Sequence, residues 1–219
     1  RVDGELTVTV IDLSQSMAPA AEIEERVRQL LDGLTIRVDE GTVSLHWVES
    51  QPFDEADDFR GVEATFDLIA WPAGLTYDPD PVAALRDWSS ATYNGLQVDP
   101  DTWAPTDETP ALYWRLASIA DVEPQNWGAW VTATIHGHLL AATPSGRLPW
   151  IRRITEGLAL TREVTLSDGS PLLFEGVSAD STADPLREGQ IRLTARFGVL
   201  APRAEDQYNI LRHAYMEVK

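Results

Sequence analysis

The chain predicts an α+β fold of antiparallel hairpins packed against amphipathic helices, on three observations. Three stretches, Thr42–Pro72, Ala111–Pro144 and Pro171–Pro202, each read as a strand-like run, a loop and an alternating return strand. Helix-patterned segments precede each of them. The return strands alternate apolar with polar residues, which marks half-buried antiparallel strands rather than the uniformly apolar strands of a parallel sheet.

Taken in order, residues 5–11 (ELTVTVI) alternate as a strand does. The segment Ala20–Leu34 then sets Ile23, Val27, Leu30, Leu31 and Leu34 at helical spacing, with Glu22, Glu24, Glu25, Arg28 and Asp32 between them. Glutamates at its start suit a helix N-terminus, and Gly33 stops it. In the first hairpin Val62, Ala64, Phe66 and Leu68 share one face of the return strand, while Glu63, Thr65 and Asp67 share the other. Its connecting loop, Pro52–Phe59 (PFDEADDF), is strongly acidic, with the carboxylates Asp57 and Asp58 adjacent and solvated.

A second helix is expected from Pro81 to Tyr93. Asp80 is its N-cap, Pro81 takes the first helical position, and Asn94-Gly95 ends it. Val82, Leu85 and Trp88 form its apolar stripe. Asp99–Pro110 is a loop by composition. The second return strand is expected to bury Val131, Ala133, Ile135 and Leu139. A third helix, Leu148–Leu160, starts at Pro149 and turns Ile151, Ile154 and Leu158 inward. The third return strand alternates through Ile191, Leu193, Ala195, Phe197 and Val199. The tail from Arg203 to Met216 reads as a helix with Tyr208, Leu211 and Tyr215 on one side. Gly61, Gly128 and Gly189 open the three return strands at comparable intervals, which suggests an internally duplicated unit. The expected organisation is a helix-plus-hairpin unit over 1–78, a second helix/hairpin unit over 79–202, and a tail over 203–219.

Composition narrows the function classes. With 219 residues the chain is long enough to bury a sizeable core. Its net charge is −18, and Lys219 is the only lysine. Charge of that size destabilises a compact chain in dilute buffer. Molar salt, which cuts the Debye length to about 3 Å, removes most of the penalty, so salt adaptation is an expectation. Binding of nucleic acid through its phosphates needs clustered Lys and Arg, and none is seen in the sequence. There is no cysteine, hence no disulfide and no thiolate metal site. No apolar run approaches the roughly 20 residues a membrane helix requires. The first residues, RVDGELTVTV, lack the layout of a signal peptide.

Few constellations carry chemistry. Asp12-Leu13-Ser14-Gln15-Ser16 resembles the metal-ion-dependent adhesion motif of von Willebrand factor A domains, in which a carboxylate and two hydroxyls ligate Mg²⁺. The resemblance extends to Thr76 as the motif's threonine and Asp168 as its later aspartate. Against it stand the alternating strand before Asp12 and the reading of Asp12, Ser14 and Ser16 as loop and N-cap residues. His136 and His138 are expected on the outward face of one strand; His46 and His213 lie far off in sequence, so no third zinc ligand is apparent. Ser167-Asp168-Gly169-Ser170 is turn chemistry. No nucleophile elbow and no Gly-rich phosphate loop is present. Trp71, Trp114, Trp127 and Trp130 lie in or beside strands and suit a core or a subunit interface. No catalytic, cofactor-binding or metal residue is assigned, and no cofactor is expected.

The order helix–hairpin–helix–hairpin resembles the tail terminator (tail completion) proteins of long-tailed viruses. The likeness runs over Asp80–Pro202, from the DPVAALRDW helix through PALYWRLASIADVEPQNWGAWVTATIHGHLLA to the strand REGQIRLTARFGVL. Residues 20–88 read as a second, partial copy. That resemblance implies a non-enzymatic virion protein, assembled in the host cytoplasm, that forms a ring, usually hexameric, on the head-proximal end of the tail tube. Its partners are then its own copies, the tail tube protein and the neck or head-tail connector. Viral DNA passes through the channel without specific binding, and no membrane is involved. The chain is longer than such proteins usually are. The other reading is an adhesion or ligand-binding module built on Asp12, Ser14 and Ser16.

Overall fold

The computed structural model describes residues 3–12, 17–38, 41–55, 59–71 and 77–201. It confirms the α+β class, with two antiparallel sheets and three helices among the described residues. The first sheet joins β1 (Gly4–Asp12), β2 (Thr35–Val38), β3 (Gly41–Glu55) and β4 (Phe59–Trp71) in the order β1-β4-β3-β2. Helix α1 (Ala18–Leu31) lies between β1 and β2 in the chain, and α2 (Pro81–Thr92) follows the sheet. The second sheet joins β5 (Ala111–Gln125), β6 (Gly128–Leu140), β7 (Glu163–Thr165), β8 (Pro171–Ala179) and β9 (Ile191–Leu200) in the order β5-β6-β9-β8-β7. Helix α3 (Pro144–Thr161) separates β6 from β7.

The return strands behave as their alternation predicts. Val62, Ala64 and Phe66 are buried on β4, and Val131, Ala133, Ile135 and Leu139 on β6. Ile191, Leu193, Ala195 and Phe197 are buried on β9. Helix α2 begins and ends within one residue of expectation, because the Asp80 carboxylate accepts the Val82 N–H at 2.9 Å and fixes its first turn. On its inner side Ser89 is buried, donating to the Leu85 carbonyl and accepting the Trp114 indole N–H.

Four expectations need correction. Helix α3 starts at Pro144, not Pro149: Thr143 caps it by accepting the Gly146 N–H, and Asp107 holds Thr143 in turn. Pro149 lies inside the helix, where its missing N–H costs one bond near the start. Helix α1 runs Ala18–Leu31 and buries Ala20 and Glu24, with Val27 and Leu31 packed on the sheet. Ile23 and Leu30, expected inward, are 45% and 73% exposed. The inward Glu24 is satisfied by the Ser50 hydroxyl, which donates to its Oε1 at 2.5 Å. Much of the acidic segment Pro52–Phe59 is strand, since pairing of β3 with β4 continues to Glu55 opposite Phe59; Asp57 and Asp58 lie outside the described residues.

The two sheets also share a repeat of topology. Its unit is strand–helix–three strands, once over Gly4–Trp71 and again over Gly128–Leu200, because β1-β4-β3-β2 and β6-β9-β8-β7 are the same order. Strands β2 and β7 are too short to show periodicity in sequence. The tail expected as a helix over Arg203–Met216 lies outside the described residues.

Among the described residues each sheet has a helix-covered face and a helix-free face. Helix α1 covers Leu45, Ala64 and Phe66 of the first sheet, whereas α2 and α3 cover the main core of the second. The helix-free faces meet at one corner, where Ile69 and Trp71 of β4 pack with Ala111 of β5, Leu140 of β6 and Leu186. The Thr42 hydroxyl spans the same junction to the Pro100 carbonyl at 2.8 Å.

Candidate functional site: a cationic cleft beside the sheet junction

The helix-free face of the second sheet gathers positive charge that the sequence scatters. Register places Arg115 of β5 opposite His136 of β6, and His136 opposite Arg192 of β9. Three strands thus form one row, Arg115–His136–Arg192. The segment after β8 folds over this row and closes a cleft of about 530 Å³ that Arg187, Glu188 and Asp180 also line. In a chain of net charge −18, three guanidinium groups gather around one opening, offset by the carboxylates of Asp180 and Glu188.

Both histidines are held by backbone. The His136 Nδ1–H donates to the Glu188 carbonyl at 2.7 Å, since a carbonyl only accepts. Burial holds the His136 pKa below its ordinary value, and the Arg115 and Arg192 charges push it the same way; the Glu188 hydrogen bond opposes them. The imidazole is therefore neutral at neutral pH. His138 is fully buried, not on an outward surface as the sequence suggested. Its Nε2 accepts the Arg115 Nε–H at 3.3 Å, so its Nδ1 carries the proton and donates to the Pro185 carbonyl at 2.9 Å.

The covering segment is itself pinned. Asp184 accepts the N–H groups of Leu186 and Arg187. Gln190, 2% exposed, exchanges two hydrogen bonds of 2.9 Å with the Leu139 backbone. Gly189 turns the chain into β9 with φ 82°, a left-handed value that glycine adopts without strain. Arg187 reaches across to the first sheet, where its guanidinium pairs with Asp67. His46 extends that crossing, lying 3.9 Å from Asp184 and 3.4 Å from Asp32.

The cleft offers cationic hydrogen-bond donors and a neutral imidazole, chemistry that holds an anion such as a carboxylate. Among the described residues no hydroxyl is hydrogen-bonded to His136, and no three of His, Cys, Asp and Glu are grouped to hold a metal ion. A second groove, about 620 Å³, lies between α2 and β7 with an apolar floor at Trp88 and Val164 and acids Asp78, Asp87 and Glu163 at its rim.

The adhesion motif is not assembled by the described residues. Asp12 ends β1, antiparallel to β4 and opposite Arg60, in a sheet with no parallel pair. Asp168 belongs to the second unit, where it caps a turn by accepting from the Ser170 N–H and hydroxyl, which hold its carboxyl below the usual range. Ser14, Ser16, Thr76 and His213 lie outside the described residues. Of the tryptophans, Trp71 and Trp114 are buried in core positions, while Trp127 is 37% exposed at the tip of the β5–β6 hairpin. Among the described residues no helix is long and apolar enough to cross a membrane.

Sequence reasoning missed Arg115, Arg187 and Arg192 as a group. The usable signal was arginine at outward positions of two return-strand hairpins, but only register brings those positions together. No protein-family model matches the chain, and no match is found among curated proteins or solved structures.

Proposed function

We propose that this chain is a structural virion subunit, a tail terminator that caps the tail tube as an oligomeric ring and joins it to the neck. The observation that carries this reading is the β5–β6 hairpin. Its outer part, residues 121–127, is exposed throughout, and it presents Val122 (50% exposed) and Trp127 (37%) to solvent. Apolar side chains at the end of a long two-stranded arm suit insertion against a neighbouring subunit. Trp127 is held there by an edge-to-face contact with Trp130, over which Arg196 stacks, so the arm is ordered before it docks. The acidic remainder of the surface suits a channel past which a genome slides, because like charge repels phosphate.

Electron microscopy of tail tubes incubated with the purified chain tests this. A ring at one tube end, lost in Trp127→Ala with folding intact, is the expected result. Tubes left bare by wild-type protein at every salt concentration overturn the reading.

A further inference from the structure

Set against the second sheet, the first sheet is one strand short among the described residues. Both third strands, β3 and β8, carry a bulge against the fourth, just after Trp47 opposite Phe66 and just after Phe174 opposite Ala195. On the other flank Phe66 faces Leu6 of β1, and Ala195 faces Ala133 of β6. Leu6 therefore occupies the place of Ala133. Beyond Ala133 stands Ile119 of β5; beyond Leu6 no strand stands among the described residues.

Among the described residues the β1 edge is also the unguarded one. Of the other sheet edges, β2 and β7 span 4 and 3 residues. Strand β5 is interrupted by two bulges and carries Asp121, Glu123 and Pro124. Short length, bulges, charge and proline are how proteins keep edges from pairing. Strand β1 has 9 residues in unbroken register, without proline, lysine or arginine, and with acids only at Glu5 and Asp12.

The occupant is written in the strand itself. Leu6-Thr7-Val8-Thr9-Val10 reads nearly the same in both directions. An antiparallel pair of β1 strands centred on Val8 sets Val8 opposite Val8, Leu6 opposite Val10, Thr7 opposite Thr9, Glu5 opposite Ile11 and Gly4 opposite Asp12. Apolar residues meet on one face, threonines on the other, and no like charges meet directly. Helix α1 agrees. Its Glu24 and Arg28 lean toward β3, bonding Ser50 and stacking 4.8 Å over Trp47. The exposed Ile23 and Leu30 therefore lie on the opposite flank, toward the β1 edge.

We infer that two copies of this chain join β1 to β1 about a two-fold axis at Val8, making one eight-stranded sheet with both α1 helices on the same face. The Ile23 and Leu30 flanks then face each other across the seam. This two-fold form goes beyond the ring proposed above and stands apart from it: it is the state of the free subunit, and a polar ring uses other contacts.

Sedimentation of the full chain in about 0.15 M salt, where charges facing across the seam still interact, and in about 1 M salt, where the net negative charge is screened, tests the seam. Wild type is expected as a dimer. Thr7→Lys with Thr9→Lys sets lysine against lysine on exposed positions and weakens the dimer at least tenfold, with the thermal midpoint of the folded chain retained. Thr7→Lys with Thr9→Glu sets opposite charges face to face and restores it. Because the chain has no cysteine, Val8→Cys gives a second readout, a covalent dimer on oxidation. A monomeric wild type, or a dimer indifferent to the lysine pair, overturns the inference; ring formation on tail tubes is read separately and survives either result.

Discussion

Trp71 and Tyr113 meet edge-to-face with ring centroids 4.9 Å apart, one from each sheet. Trp71 is fully buried, and its indole N–H donates to the Ser44 hydroxyl at 2.8 Å. Trp103 and His138 also pack edge-on against it, so one side chain pins the junction. Trp71→Ala is expected to cost about 3–5 kcal/mol, the usual range for deleting a buried aromatic side chain. Trp71→Phe, which keeps the ring contact but removes the indole N–H from Ser44, costs less, since Ser44 keeps its hydrogen bond with the Thr35 hydroxyl. Urea unfolding followed by fluorescence measures both.

The Asp67–Arg187 pair is the charged counterpart of that contact, and its partners stand 120 residues apart in sequence. Asp67 is 13% exposed at its side chain, so Asp67→Ala leaves a guanidinium partly buried and unanswered. The expected loss is about 1–2 kcal/mol, the lower part of the range for charged hydrogen bonds, because Arg187 keeps a third of its surface in water. A double-mutant cycle with Arg187→Met should show coupling between the two sites.

His136 gives the cleft a pH dependence. Burial, with Arg115 and Arg192 beside it, lowers its folded pKa from 6.5. The unfolded chain thus takes up the proton first, so stability is complete above about pH 6.5 and falls as pH drops through that value toward the folded pKa. His136→Gln should flatten the slope between pH 6.5 and 5. Thermal melts across that range, compared with wild type, read the difference.

Salt should raise stability steeply. At −18 the folded chain repels itself, and shortening the Debye length from about 10 Å to about 3 Å between 0.1 and 1 M removes most of that repulsion. The thermal midpoint is expected to climb over this interval with KCl as with NaCl. An unchanged midpoint would show that the acidic residues are spaced widely enough not to interact.

Local chemistry was legible and long-range chemistry was not. Asp80-Pro81 announces α2 because cap and proline act within one turn. The alternation of Ile191, Leu193, Ala195 and Phe197 announces β9 because a half-buried strand has a two-residue period. Glu24 was misplaced because the hydroxyl that answers it, Ser50, is 26 residues away. The row Arg115–His136–Arg192 was invisible because it depends on the register of three strands. For the same reason His138 read as exposed: the Pro185–Gly189 backbone that covers it comes 47 residues later in the case of its own hydrogen bond.

Two halves of one topology in a single chain invite mistaken identity while the chain folds, each helix having two sheets to choose from. The Glu24–Ser50 contact discriminates between them. Matching the two sheets at their bulges puts Val177 where Ser50 stands, since Ser50 faces Ala64 and Val177 faces Leu193. A first helix laid on the wrong sheet would press its carboxyl into valine, with no hydroxyl in reach. One half-buried polar contact under α1 thus favours that helix on its own sheet.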